Sequence, residues 1–353
     1  MNLRDNVKSA QNRVGKEASV LSQYILDQRT DEYKGLDFYE DIINLEVGDT
    51  SLSRARSLER QFNFRQIYIK FEGHNPTGTQ KDRIAFAQVY DAIRRGFSKI
   101  VLATCGNYGV AVALAAQLAH IECVIFIPER YHTERINEMQ ELGAEIRRIP
   151  GSYEEVVEKS SLIAAENEWY DANPGGDNTV IQINAYAQIA YEIYDEMRDA
   201  PKICAVPVSN GTLFAGIFRG FSNLYKRGKT SRIPQMIAAS STNKNPIIQS
   251  FKKRLNHCAD LNPAKIKETS VNEPLINWHS FDGEEALQAL YESNGFAYNI
   301  TDKEMREMSQ LLLKTEGSKI LPASTAGLIG LLKANEENAL EPDRFVAILT
   351  ARD

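Results

Sequence analysis

The feature that most limits how this chain can fold is a repeated exchange between short apolar, β-branched runs and helical runs. "KIVLAT" (99–104) reads as a strand, "VAVALAAQLAH" (110–120) as a helix, "ECVIFIP" (122–128) as a strand and "RINEMQELGA" (135–144) as a helix. Farther along, "KICAVPV" (202–208), "QMIAAS" (235–240) and "RFVAILT" (344–350) read as strands, with "LFAGIFRGFSNLYKRG" (213–228) as a helix. Strands that are apolar throughout and alternate with helices predict a parallel sheet covered on both faces. The fold class is therefore α/β, and the places to look for chemistry are the loops leaving the carboxyl ends of the strands. The periodic body starts near "LEVGDTSL" (45–52); what precedes it is polar and partly helical, and no internal repeat or long Gly/Ser linker interrupts it.

Composition removes several function classes. A net charge of −6 with scattered Lys and Arg supplies no basic field for nucleic acid. Four cysteines (Cys105, Cys123, Cys204, Cys258) form no CxxC pair and five histidines form no HExxH, so neither a metal site nor a disulfide framework is expected. The start, "MNLRDNVKSAQNRVGKE", is too polar for a signal peptide, and no apolar run reaches about 18 residues, so no membrane partner is expected and the expected compartment is the cytoplasm.

Three loops carry candidate chemistry. In "FEGHNPTGTQKDR" (71–83), Lys81 follows a turn made of Asn75, Pro76, Thr77 and Gly78, between the strand-like "QIYIKFE" (66–72) and the helical "DRIAFAQVYDAIRRG" (82–96). An ordinary turn with a solvated lysine fits these residues. A lysine at a helix N-terminus, where the dipole disfavours its charged form, fits them too and would serve as a nucleophilic amine. A P-loop is excluded by register, because Thr79 and Gln80 stand between the second glycine and Lys81. "ATCGNYG" (103–109) is a strand end, small-residue turn and helix start suited to a carboxylate, or a tight turn with no ligand. In it, Cys105 is either a thiol of lowered pKa or a small packing residue. "VPVSNGTLFAG" (206–216) places Ser209, Asn210, Gly211 and Thr212 in one turn, suited to a phosphate or to simple helix capping. "TDKE" (301–304) reads as a structural capping box. Together, a lysine, a carboxylate-type loop and a phosphate-type loop are the parts that a pyridoxal phosphate (PLP) enzyme needs.

With these residues in view, "FEGHNPTGTQKDR" closely resembles the lysine motif of threonine synthases, NPTGSFKDR, in the tryptophan synthase β-like, fold type II family. "LEVGDTSL" resembles the family's EGxTPL opening strand, "ATCGNYGVAVA" its SSGN loop and "VPVSNGTLFAGI" its phosphate loop. "TEGSKILPASTAGLIGL" (315–331) and "AILTARD" resemble its EG…EPASA helix and closing strand, so the likeness spans about residues 45–353. The resemblance implies an N-terminal extension (1–44), a lobe with the PLP lysine and carboxylate loop (45–195), a lobe with the phosphate loop (196–353), PLP in the cleft between them, and a homodimer. It implies that Lys81 forms the Schiff base with PLP and later moves protons, and that Asn107 bonds the cofactor's 3′ oxygen. Thr104, Cys105, Gly106 and Tyr108 would surround the substrate carboxylate, and Ser209, Asn210, Gly211 and Thr212 would hold the phosphate. Thr350 would face the pyridine nitrogen, which a neutral hydroxyl leaves largely unprotonated. Ser209 and Thr212 replace family glycines, Cys105 replaces a serine and Gln80 a phenylalanine.

The implied activity is β/γ-elimination or replacement on a small amino acid. A serine/threonine dehydratase-like ammonia lyase, a true threonine synthase acting on O-phosphohomoserine and a catalytically silent PLP-fold binding protein are the alternatives; a Rossmann dehydrogenase is disfavoured because no GxGxxG follows a strand. The segment "NPGGDNTVIQINAYAQIAYE" (173–192) stands where threonine synthases read NPxRxxGQKT, yet no Lys, Arg or His occurs from Glu168 to Glu192. Burying a distal phosphate without a cation costs several kcal/mol, so a leaving group other than phosphate is expected unless Lys70, Arg130 or Arg135 supplies the charge.

Overall fold

The computed structural model describes residues 9–27, 32–104, 106–131 and 135–353. In chain order the elements are α1 (Lys16–Leu26), α2 (Glu32–Glu46), β1 (Leu52–Arg54), α3 (Arg56–Gln61), β2 (Ile67–Phe71), α4 (Lys81–Arg94), β3 (Lys99–Ala103) and α5 (Asn107–Ala119). Next come β4 (Glu122–Pro128), α6 (Arg135–Glu141), β5 (Glu145–Ile149), α7 (Tyr153–Glu166), β6 (Tyr170–Asp171), α8 (Thr179–Met197), β7 (Ile203–Pro207) and α9 (Thr212–Lys226). The chain finishes with β8 (Gln235–Ser241), α10 (Pro246–Lys252), α11 (Gly283–Glu292), β9 (Phe296–Ile300), α12 (Asp302–Glu316), α13 (Ala326–Asn338) and β10 (Phe345–Leu349). Each of the strands read from an apolar run lies within a residue or two of its expected place.

Two compact units are formed, Met1–Gly48 with Asn75–Gln182 and Asp49–His74 with Ile183–Asp353. In the first, β5-β4-β3-β6 make a fully parallel sheet. The uncharged Ala/Val/Leu run of α5 lets that helix bury every residue from Tyr108 to Ala119. The N-terminal helices cover it: Ser22 donates to the Leu118 carbonyl at 2.8 Å and Tyr39 to that of Ala115 at 3.2 Å.

In the second unit the strand order is β1-β2-β10-β7-β8-β9, parallel throughout except for the antiparallel β1–β2 pair. α13 lies on this sheet, and its glycines permit the approach: a Cβ on Gly327 would stand 3.0 Å from the Ala205 carbonyl oxygen. The opening strand expected over 45–52 starts only at Leu52, because α2 runs on through Glu46. The contiguous lobes expected from the sequence also differ from the observed units. β2 pairs with β10 from Ile67 opposite Phe345 to Phe71 opposite Leu349, and this ladder joins residues 49–74 to the unit that holds the chain end.

Candidate functional site

In the first unit, Lys81 is the first residue of α4 and its backbone N–H donates to Thr79 Oγ1 at 3.1 Å. The turn before it is fixed from both ends. Gly78 has φ +85° and donates to the Asn75 carbonyl at 2.8 Å, while the Asn75 side chain accepts the Gly48 N–H at 3.0 Å. The fully buried Asp82 carboxylate accepts the Thr77 N–H and hydroxyl, both at 2.9 Å. A lysine that enters its helix from a turn locked by a buried carboxylate has a defined direction, unlike a solvated surface charge. Its Nζ stands 5.3 Å from the centre of the Tyr108 ring. Beside it, Gln80 accepts the Thr79 hydroxyl at 2.8 Å.

The same unit brings 104–108 to the start of α5. Thr104 Oγ1 accepts the Gly106 N–H at 3.4 Å, α5 begins without a side-chain cap, and a Cβ on Gly106 would meet nothing within 4 Å. Asn107 is half-buried at the first position of α5. Cys105 lies outside the described residues. Gly109 is a packing glycine, since a Cβ there would strike Met139 and Thr104 at 2.6–2.7 Å. Tyr108 is buried, and its hydroxyl donates to the Ala172 carbonyl at 2.8 Å while accepting from Gln88. Its ring faces Lys81.

The amides of the segment without cations are engaged within it and with β3. Asn173 Oδ1 accepts the Ala103 N–H at 2.8 Å, Asn178 Nδ2 donates to the Asp171 carbonyl at 2.7 Å, and buried Gln182 donates to the Asn173 carbonyl at 3.0 Å. A cation that does reach it, Arg95, donates to Asn178 Oδ1 at 2.7 Å, pairs with Asp91 at 3.3 Å and lies 5.0 Å from the Phe97 ring centre. Burial pushes the Asp91 carboxyl up, but hydrogen bonds from Arg94, Arg95 and Tyr170 outweigh it and hold the group below the ordinary aspartate value. Arg135 pairs with Glu138 at 2.8 Å and Arg130 is exposed.

The second unit carries the other loops. Gly211 takes φ +103° just before α9, a helix that starts without a side-chain cap. A Cβ on Gly211 would stand 2.4 Å from the Asp282 carbonyl oxygen, and the Asp282 N–H donates to the Asn210 carbonyl at 3.0 Å. The Thr212 hydroxyl donates to the buried Asp282 carboxylate, which commits a hydroxyl expected to point at a phosphate. Asn277 donates to Asn210 Oδ1 and Ser280 Oγ, both at 3.0 Å, and Asn245 to the Ser209 carbonyl at 2.9 Å. Thr350 follows β10 directly and its Oγ1 lies 3.0 Å from Ser324 Oγ. Lys70 is buried, its Nζ bonded to the Thr50 carbonyl and to Glu192 Oε2, both at 2.5 Å. Asp282, Asn277 and Ser324 were not picked out by the sequence reading. For Ser324 the signal available was a hydroxyl cluster beside Pro322 at a helix start; for Asp282, about 70 residues from the loop it holds, there was none.

Among described residues no group of three or more His, Cys, Asp or Glu could hold a metal ion, and no helix is long and apolar enough to cross a membrane. The family model described as pyridoxal-phosphate dependent enzyme matches residues 43–351. In sequence, the chain is 28% identical over 311 residues to a threonine synthase of Methanocaldococcus jannaschii, covering 88% of this chain and 75% of that protein. It is 27% identical over 310 residues to a threonine synthase of a Bacillus species, covering 87% and 83%. In structure it is similar to maize serine racemase, with a TM-score of 0.75, 16% identity and coverage of 90% and 92%. It is similar also to the processed threonine deaminase isoform 2 of Solanum lycopersicum, with a TM-score of 0.71, 16% identity and coverage of 96% and 86%. The structural likenesses show the fold alone, which is the tryptophan synthase β-like arrangement of fold type II. The chain thus belongs to the pyridoxal-phosphate-dependent enzymes, is threonine synthase-like within them, and has pyridoxal 5′-phosphate as its cofactor.

Proposed function

We propose that this enzyme eliminates or replaces a β or γ substituent of a small amino acid, and that the leaving group is not phosphate. The observation that carries this reading is the composition and bonding of residues 168–192: no Lys, Arg or His is present, and the amides there are already engaged, Asn173 with the Ala103 N–H of β3, Asn178 with the Asp171 carbonyl and Arg95, and Gln182 with the Asn173 carbonyl. Lys70 and Arg135 are already paired with carboxylates. A phosphate dianion desolvated there would lack the charge-assisted bonds that offset its burial.

The residues present fit the cofactor. The uncapped start of α9 and the closely walled Gly211 leave backbone N–H groups and the Ser209 hydroxyl for its phosphate, with Asn210 and Thr212 shaping the loop through Asn277 and Asp282. Asn107 has a carboxamide to give to the 3′ oxygen, and the open approach at Gly106 suits a substrate carboxylate beside Thr104. Thr350 would meet the ring nitrogen with a neutral hydroxyl. When bound, pyridoxal phosphate supplies the electron sink for the bond-breaking at the substrate's α carbon. Lys81 Nζ would hold the cofactor through its aldehyde carbon and would serve as the base that moves a proton between the substrate α carbon and the departing side. The Tyr108 ring, fixed by its bonds to Gln88 and Ala172, bounds the space in which that amine moves. A cytoplasmic homodimer is part of the same reading.

A competition assay tests the reading. A non-hydrolysable phosphonate analogue of O-phosphohomoserine is titrated against turnover of unphosphorylated and O-acylated serine and homoserine. Weak inhibition, at millimolar concentration or above, is expected; micromolar competition would overturn the proposal. Release of ammonia and a 2-oxo acid from serine or threonine, with no replacement product, would assign the ammonia lyase alternative.

A further inference from the structure

Ser324 sits in the turn Pro322–Thr325 that leads into α13 and is 1% exposed. Its Oγ accepts the Thr350 N–H and, at 2.9 Å, the Ala351 N–H. The segment around it is stitched to the chain end: the Leu321 N–H donates to the Ala351 carbonyl at 3.2 Å, the Asp353 N–H to that of Lys319 at 3.2 Å, and Ile320 bridges Arg352. The second hydroxyl, Thr350 Oγ1, lies 3.0 Å from Ser324 Oγ.

Counting donors and acceptors settles which hydroxyl gives its proton to the other. A serine hydroxyl has two acceptor positions and one hydrogen. Both acceptor positions of Ser324 are filled by backbone N–H groups, whose hydrogens cannot turn away, so Ser324 cannot also accept from Thr350. Its own hydrogen therefore goes to Thr350 Oγ1. Thr350, accepting from Ser324, is left with its hydrogen free to donate elsewhere. On the reading that Thr350 faces the cofactor's ring nitrogen, we infer that Ser324 is a positioning residue that holds Thr350 as a donor, so that this site selects the unprotonated ring nitrogen and disfavours the pyridinium form. A pyridinium N–H needs an acceptor, and Thr350 could accept it only by turning its hydrogen aside from the direction the Ser324 bond sets.

The test uses the holoenzyme reconstituted with PLP labelled with 15N at the ring nitrogen. In the unsubstituted protein the 15N shift should be that of a neutral, hydrogen-bonded pyridine; a pyridinium shift would overturn the inference without any variant. Thr350→Val should move the signal toward that of a nitrogen with no donor, Ser324→Ala should move it in the same direction, and the double variant should move it no farther than Thr350→Val alone. PLP affinity in Ser324→Ala should fall by about threefold to tenfold, as for loss of one hydrogen bond. If Ser324→Ala fails to fold, Ser324→Cys, a weaker donor of similar size, should give part of the shift. A shift in Thr350→Val with none in the Ser324 variants would make Ser324 a purely structural residue and overturn the inference while keeping the reading of Thr350. A shift in the Ser324 variants alone would make Ser324 the direct partner and overturn it as well. No shift in any variant would instead remove Thr350 from the ring nitrogen, and the underlying reading with it.

Discussion

Replacing Gly211 with alanine should weaken PLP binding by at least about tenfold, or about 1.4 kcal/mol. Two costs are visible in the structure. At φ +103° an L side chain is strained, which by itself costs roughly 1–2 kcal/mol. The added Cβ would also stand 2.4 Å from the Asp282 carbonyl oxygen and 2.9 Å from Ala286 Cβ, atoms of backbone and helix that cannot rotate aside. Because Asp282 holds both the Asn210 carbonyl and the Thr212 hydroxyl, relief of the clash must move the loop, and with it the amides at the start of α9. Gly228→Ala is the control: its φ of +65° imposes the same kind of strain, but nothing lies within 4 Å of the new Cβ. It should lose about 1–2 kcal/mol of stability in urea with PLP affinity unchanged. PLP titration of both apo-proteins, with circular dichroism to verify folding, separates the two effects. A folded Gly211→Ala that binds PLP like the unsubstituted protein would remove residues 209–212 from the cofactor site.

Borohydride reduction and peptide mapping should place the pyridoxyl adduct on Lys81; an adduct on another lysine refutes that assignment. Thr77→Val, which leaves the buried Asp82 carboxylate short of a hydroxyl donor, should destabilise the protein by about 1–3 kcal/mol in urea, and no loss would show that the turn before Lys81 is held by other means. The folded Asp91 carboxyl titrates below its unfolded value, so its contribution is present above about pH 4 and is lost as pH falls through the folded value. Asp91→Asn should therefore be less stable at pH 7 and should converge with the unsubstituted protein in acid; a constant difference across that range contradicts the assignment. Burial pushes the Cys123 thiol up to about 12 and raises that of Cys204, and burial with nearby Glu284 and Asp260 pushes Cys258 up to about 12. At pH 8 all three should react with a disulfide reagent far more slowly in the native protein than in urea, and rapid native labelling of any of them would contradict this.

The strands were legible because a strand buried on both faces is apolar along its whole length, as in β4, β7 and β10. β5, "EIRRI", lies at a sheet edge and is half exposed, so its charges hid it. The discontinuous units depend on the β2–β10 ladder, a pairing across nearly the whole chain that no local pattern encodes. In the candidate site, the turn before Lys81 was readable from Pro76, Gly78 and the helix that follows. What was not readable is how hydroxyls are directed: Tyr108 toward Ala172, Thr212 toward Asp282 and Thr350 against Ser324, each settled by a partner distant in sequence.

The central claim, that residues 168–192 make a site unsuited to a phosphorylated side chain, is tested most directly by kcat/KM for O-phosphohomoserine beside unphosphorylated and acylated serine and homoserine derivatives. The account predicts that an unphosphorylated or acylated derivative is the better substrate by at least about tenfold. A value for O-phosphohomoserine of about 10⁴ M⁻¹s⁻¹ or more, with threonine as the product, would contradict it and make this enzyme an ordinary threonine synthase.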